Sequence, residues 1–297
     1  MATLRDIRNR IGAVKSTQKI TKAMKMVAAA KLRRAQEAMI AARPYAKTMK
    51  QLLQHLSTKV DVTASTYFVE RPVKSVAIVV VTADRGLCGS FNANLIKSAV
   101  HHINKNYAEL QAEGQLKVIC VGKKSYDYFS KRNYKVISKH TGIFASMNFQ
   151  TAKSIVKELL EGYEKGEFDK VEIVYNEFKS ITQPRITTDQ YLPIVAEENN
   201  HQTPASKSQV DYIYEPSSEA IMDALLPKHL NFQLWRVLLE SNASEQGARM
   251  AAMDNATTNA SELIHSLQLS YNKARQASIT KELLEIVSGA EALKKAS

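Results

Sequence analysis

Cysteine, tryptophan and glycine are scarce in this chain: two, one and ten among 297 residues. Cys88 and Cys120 have no neighbours at metal-ligand spacing, which excludes a disulfide framework and a cysteine metal centre and leaves two reduced, packed thiols as the expectation. No apolar run approaches the length of a membrane span. Met1 leads straight into a heptad pattern, so no signal or transit peptide is expected. The chain lacks G-x-G-x-x-G, G-x-x-x-x-G-K-[ST], G-x-S-x-G, H-E-x-x-H and C-x-x-C. The adjacent pair His101-His102 points in different directions on a helix, so it makes no metal site. No constellation for catalysis, no metal site and no cofactor site is expected. Acidic residues are missing from one end: residues 1–50 carry thirteen Lys and Arg against only Asp6 and Glu37. Nearly all of the net charge of +12 therefore sits there. Charge runs are most often solvated faces. Like charges at helical spacing repel, however, so the lack of acids here makes that reading less comfortable and points to an acidic protein, a nucleic acid or an anionic membrane surface.

What is present in abundance is helix. From Ser217 to the end there is one proline, Pro227, and two glycines, Gly247 and Gly289. Leu230, Leu234, Val237, Ser241, Ser244, Ala248 and Ala251, then Ala260, Ile264, Leu267, Tyr271 and Ala274, alternate by four and three, as in a coiled-coil seam. Roughly 70 helical residues make a rod about 105 Å long, whereas a globule of this chain length is about 50 Å across. The N-terminus supplies the matching series: Leu4, Ile7, Ile11, Val14, Gln18, Thr21, Lys25, Ala28, Leu32, Ala35, Met39, and on to Val60. A heptad held that long demands a partner helix and a left-handed supercoil. Pro44 should kink this helix without ending it, because the seam resumes in register beyond it. The less demanding alternative is two separate amphipathic helices lying on a large core.

Between the rods the period becomes that of strands. Ser75–Val81, Leu116–Val121, Val136-Ile137 and Lys170–Tyr175 read as strands, with Pro184–Ile194 and Tyr212–Tyr214 as further strands at an edge. Helices are expected at 91–106, near 125–129 and at 151–163, and a flexible loop at 197–209. The alternation argues for an inserted α/β domain with a mostly parallel, Rossmann-like sheet. The chain then divides into 1–69, 70–214 and 215–297. The turn Thr82–Ser90 follows the first strand where nucleotides often bind, but Gly86 and Gly89 do not make the phosphate fingerprint.

Particular motifs resemble one family. Ile7-Arg8-Asn9-Arg10-Ile11 with Thr17–Ala29, Asp84-Arg85-Gly86-Leu87-Cys88-Gly89, Arg249–Met253 with Ala256–Ala260, and Ile279–Ala292 are similar to the motifs of the gamma subunit of F-type ATP synthases, over nearly the whole chain. The resemblance implies a non-catalytic rotor, the central stalk. It would couple ion flow through the membrane c ring to switching of the catalytic alpha/beta hexamer for ATP synthesis. It implies one copy per complex, contacts with the alpha, beta and epsilon subunits and the c-subunit ring, no cofactor and no nucleic acid. It also implies a peripheral place on the cytoplasmic face of the bacterial inner membrane. By position, Met24 and Lys25 with Arg249, Arg275, Gln276, Thr280 and Glu282 resemble the residues that meet the beta catch loop. Tyr212 resembles a residue of the foot near the c ring. Pro227 departs from the pattern and bears on the straightness of its helix. The rival readings are a basic coiled-coil nucleic-acid binder, which leaves the α/β domain without a role, and a Rossmann-type enzyme, which leaves the rods without one.

The seams also suggest a register. Running antiparallel, Leu4, Ile7, Ile11 and Val14 can face Leu293, Ala290, Ile286 and Leu283. Ala28, Leu32, Ala35 and Met39 can then face Tyr271, Leu267, Ile264 and Ala260. This sets the polar interruption Gln18, Thr21 and Lys25 against Asn272–Thr280, also polar and small. A polar layer at one level of a seam fixes register at some expense in packing.

Overall fold

A computed structural model describes residues 3–57, 66–180, 185–194, 214–215 and 217–296. The chain divides into two compact units, Met1–Ala28 with Met250–Ser297, and Ala29–Arg249. Two helices contribute to both: α1, Leu4–Ser57, and α6, Ser218–Ala296. Pro44 lies inside α1 and Pro227 inside α6, and neither ends its helix. The expected seam beyond Ser57 falls outside the described residues.

The larger unit is built on a five-stranded sheet in the order β3-β2-β1-β4-β5. Its strands are β1 (Val76–Val81), β2 (Leu116–Val121), β3 (Lys135–His140), β4 (Lys170–Glu177) and β5 (Arg185–Leu192). The first four are parallel and β5 returns antiparallel at the edge. The central β1 is buried at all six positions, the physical reason for its unbroken apolar run. Its residues alternate between two cores. Ala77, Val79 and Val81 face a layer that holds Ile155, Val156 and Leu159 of α5 (Phe149–Glu164) and Leu230, Leu234 and Val237 of α6. Val76, Ile78 and Val80 face Leu95, Ala99 and Ile103 of α2 (Phe91–Asn106), with Phe129 of α4 (Lys123–Phe129). The seam residues Leu230, Leu234, Val237, Ser241 and Ser244 of α6 are all buried in this unit.

The expected elements are present with bounds shifted by a few residues, and the edge strand expected at 184–194 is β5, Arg185–Leu192, with position 184 outside the described residues. Two short pieces had no sequence signal: α3, Ala108–Ala112, and a 3-10 turn at Ile143–Ala145. Of the expected strand Tyr212–Tyr214, the first two residues lie outside the described residues, as does the loop 197–209, and Tyr214 is not in a strand.

In the smaller unit α1 and α6 run antiparallel. The seam positions Leu4, Ile7, Ile11, Val14, Gln18, Thr21, Lys25 and Ala28 are more sheltered than the residues between them, apart from Met24. On α6 the sheltered positions are Met253, Ala256, Thr257, Ala260, Ile264, Leu267, Tyr271, Ala274 and Ser278. Both helices thus use the seam that their heptads predict. The register, however, differs from the expected one. Thr21 Oγ1 lies 2.8 Å from Thr257 Oγ1, Gln18 Nε2 donates to Ser261 Oγ at 2.5 Å, and Lys25 Nζ reaches Asp254 Oδ1 at 2.6 Å. Counting outward from these bonds, Val14 falls opposite Ile264, Ile11 opposite Leu267 and Ile7 opposite Tyr271. Relative to expectation, α6 has slid by three heptads. Such a shift preserves the apolar phase, so both registers satisfy the same pattern. The polar interruption does meet a polar partner, but that partner is Asp254–Ser261 and not Asn272–Thr280.

Candidate partner-binding surfaces

Three places combine chemistry with exposure or unusual burial. The first is the polar level of the two-helix unit. Thr21 and Thr257 bond across the seam, and Thr257 Oγ1 also donates to the carbonyl of Met253 at 2.7 Å. Beside them lies a groove of about 510 Å³ lined by Gln18, Lys19, Lys22, Lys25, Met26, Asp254, Thr257 and Ser261. Three ammonium groups against a single carboxylate make this groove an anion-attracting surface. The Lys25–Asp254 pair is about half exposed on both sides, which leaves it worth roughly 0–1 kcal/mol. Its length of side chain and charge are available to a partner at little loss to the fold.

The second place is the part of α6 that α1 does not reach. The register sets Leu4 opposite the turn of α6 at Ala274-Arg275. From Ile279 to Ala290 every residue is exposed, and Ile279, Leu283, Leu284, Ile286 and Val287 each leave about half or more of their surface in water. Helices that end in apolar stripes of this kind mark binding surfaces. Arg275, Gln276, Thr280 and Glu282 share this stretch and are exposed. Thr280 donates to the carbonyl of Gln276 at 2.9 Å, and Ser278 to Glu282 at 3.3 Å. Met24 and Lys25, by contrast, lie at the level of Asp254, about 31 Å along the helix from Arg275 by its 1.5 Å rise. The structure does not bring these two groups of residues together. Tyr212 lies outside the described residues.

The third place is the turn after β1. Asp84 accepts from the amides of Lys123 at 3.0 Å, Gly142 at 2.8 Å and Phe144 at 3.4 Å, so one carboxylate ties together the loops that follow β1, β2 and β3. Asn92 Oδ1 holds the amide of Ala83, and Thr82 Oγ1 accepts from the amide of Ser125. Gly122 fits because a Cβ there would stand 2.0 Å from the carbonyl oxygen of Thr82. The amides at the carboxyl ends of the strands, which in dinucleotide-binding sheets face phosphate, here face a carboxylate of the chain itself. Leu87 adopts a left-handed φ of 64°, and Gly89 one of 60°. Onto this turn α6 sets Arg249, whose Nη1 donates to Gly86 O at 2.6 Å and whose Nη2 pairs with Glu245 one helical turn earlier. Both side chains are nearly buried. Burial pushes the Glu245 carboxyl above its usual range, with Arg249 opposing in part. Burial likewise raises the Cys88 thiol beside them. Cys120, within the sheet, is pushed up to about 12. Both thiols are free and buried. Sequence reasoning missed Asp84 and Glu245 as organising residues. The i,i+4 spacing of Glu245 and Arg249 was the available signal for one of them.

Outside these places, Glu172 on β4 is a buried carboxylate that meets Lys170 at 2.9 Å, His102 at 2.6 Å and Tyr107 at 2.8 Å. Burial alone would raise it, but those three bonds outweigh burial and hold it below the usual carboxylate range. This cluster knits α2 to the sheet.

Comparison with known proteins decides among the readings. A family described as ATP synthase matches residues 3–293. The ATP synthase gamma chain of Chloroherpeton thalassium is 53% identical over 304 residues, covering 100% of both chains. That of Chlorobaculum parvum is 56% identical over 295 residues, 99% of this chain and 100% of the relative. This chain belongs to the ATP synthase gamma-chain family. Among solved structures, the central stalk and c ring of the Tetrahymena thermophila mitochondrial ATP synthase aligns with a TM-score of 0.58 at 25% identity, over 80% of this chain and 99% of that one. The rotor of the Euglena gracilis mitochondrial enzyme aligns with a TM-score of 0.65 at 22% identity, over 93% and 98%, and so shares the fold. Gamma chains are non-catalytic rotor subunits, and membership gives this chain that function. The reading as a basic nucleic-acid binder is left without support. No helix among the described residues is long and apolar enough to cross a membrane.

Proposed function

We propose that this chain is the shaft of a bacterial ATP synthase, held as one copy between the membrane c-subunit ring and the catalytic alpha/beta hexamer, with the epsilon subunit on its α/β domain. The exposed apolar end of α6 supports this reading most directly. Ile279, Leu283, Leu284, Ile286 and Val287 are too numerous to be left in water by a helix without a collar around it. The place of action is the cytoplasmic face of the inner membrane, as a peripheral subunit. The division into 1–69, 70–214 and 215–297 corresponds to one helix of the shaft, the α/β foot and the other helix of the shaft.

Arg275, Gln276, Thr280 and Glu282 meet the beta catch loop from the exposed stretch of α6. Met24 and Lys25 present a second cationic level to the beta subunits from the groove on α1, and Arg249 belongs to the same set by its place in the family's C-terminal helix. Tyr212 serves the foot near the c ring. The test is reconstitution of the alpha and beta subunits with the full chain and with a variant carrying Ile279→Ser, Leu283→Ser and Ile286→Ser. The full chain should form a complex of fixed stoichiometry and the variant should lose it. Equal assembly of both would overturn the collar reading.

A further inference from the structure

α6 must deliver rotation to the α/β layer, and much of its contact with that layer is apolar. Leu230, Leu234, Val237 and Leu238 share a core with the sheet and α5. Those side chains are buried, so turning the helix would carry them toward water, and the interdigitated core itself resists rotation. Directional bonds add to that resistance and fix the angle of the helix within it. Tyr191 donates to the carbonyl of Leu230 at 2.8 Å, Ser244 to the carbonyl of Asn176 at 3.3 Å, and Arg249 to the carbonyl of Gly86 at 2.6 Å. The last differs from the others in kind. It is charge-assisted, backed by the buried Glu245 carboxylate, and lies at the far end of the stretch of α6 that packs on the sheet layer. Its acceptor sits in the turn that Asp84 joins to the loops after β2 and β3. A pull on Gly86 is therefore a pull on three strands together.

We infer that Arg249, held by Glu245, is a torque clamp: it locks the angular position of α6 against the α/β layer through the Gly86 carbonyl. It is a positioning residue and touches no reacting group. The inference rests on the rotor reading, and its failure is distinguishable, since a chain that is no rotor would not assemble with alpha and beta subunits at all.

The experiment uses the assembled complex with a magnetic bead fixed to the α/β layer through Lys131→Cys, an exposed site remote from the turn in sequence. Unloaded ATP hydrolysis, stall torque and hydrogen exchange at Gly86–Cys88 are measured for the parent, Arg249→Ala and Arg249→Lys. The clamp predicts that Arg249→Ala lowers stall torque by a larger factor than it lowers unloaded hydrolysis. Exchange at the turn should rise about tenfold or more, the equivalent of one lost charge-assisted hydrogen bond. Arg249→Lys, which keeps one donor and the charge, should recover part of both. A chemical rescue gives a second route. Ala248 packs against the cluster of Ala83, Cys88 and Phe91, and an Ala248→Cys variant in the Arg249→Ala background whose disulfide with Cys88 is verified on a non-reducing gel should restore torque when oxidised and lose it when reduced. Two results would overturn the clamp: stall torque unchanged in Arg249→Ala, or torque and hydrolysis falling by the same factor in complexes of equal subunit content.

Discussion

The register of the two-helix unit can be decided by two cysteine pairs. Thr21 and Thr257 place their hydroxyl oxygens 2.8 Å apart across the seam, so cysteines at both positions need only small rotations to reach a disulfide. The alternative register, slid by three heptads, instead brings Met24 near Gln276. In the observed register Met24 stands at the level of Asp254, 22 positions before Gln276, which at 1.5 Å per residue is a separation of about 33 Å along the axis. A disulfide tolerates Cα atoms no more than about 7 Å apart, so no thermal motion of an intact coiled coil closes the second pair. The assay is oxidation of Thr21→Cys/Thr257→Cys and of Met24→Cys/Gln276→Cys in the assembled complex, read on a non-reducing gel. The first pair should cross-link nearly completely and the second should not. Cross-linking of the second pair without the first would refute the register, the bare end of α6 and the collar argument together.

Other consequences follow from packing and charge. Gly162→Ala exchanges glycine for the best helix former, a gain of about 1 kcal/mol, but its Cβ would lie 2.5 Å from the Phe168 ring in a full core. Overpacking of this kind costs about 1–3 kcal/mol, so a net fall in the urea midpoint is expected. Glu172→Ala leaves Lys170, His102 and Tyr107 without their shared acceptor, and should destabilise the chain by about 2–4 kcal/mol at pH 7. Because the folded Glu172 is held below its unfolded range, its contribution is present above the unfolded pKa and lost as pH falls through the folded one. The deficit of Glu172→Ala should therefore shrink in acid, and a deficit that grew there would contradict the assignment. Adding Glu245→Gln to Arg249→Ala removes the buried carboxylate that Arg249→Ala strands, and thermal unfolding should recover by about 1–3 kcal/mol.

How far these features could be read beforehand depends on the kind of information each one needs. The central strand was legible because burial on both faces writes an unbroken apolar run rich in β-branched residues, as Val76–Val81 does. The seams were legible because a heptad is local: Leu4, Ile7, Ile11 and Val14 declare their face without reference to the partner. The register was not legible from the seams, since a pattern of period seven matches itself after any slide of seven. Only the aperiodic residues break that degeneracy, and here two stretches of α6 were polar enough to receive Gln18, Thr21 and Lys25. The structure chooses Asp254–Ser261, and the chemistry gives a reason. Asp254 offers Lys25 a carboxylate, whereas Asn272–Thr280 contains Lys273 and Arg275 and no acid at all. Charge could therefore have decided between two matches that hydrophobicity could not. The turn after β1 shows the opposite limit. Its motif was conspicuous in the sequence and its lack of a phosphate fingerprint was plain, yet the acceptor of Arg249 lies 163 positions away and is a backbone carbonyl that carries no sequence signal. Residues chosen for a partner, such as Arg275 and Gln276, stay exposed in the chain alone. Arg249 was placed in the same class, and it is nearly buried against its own fold. Its two bonds inside the chain assign it first to holding the shaft, and any partner that reaches it must meet a guanidinium already committed to Gly86 and Glu245.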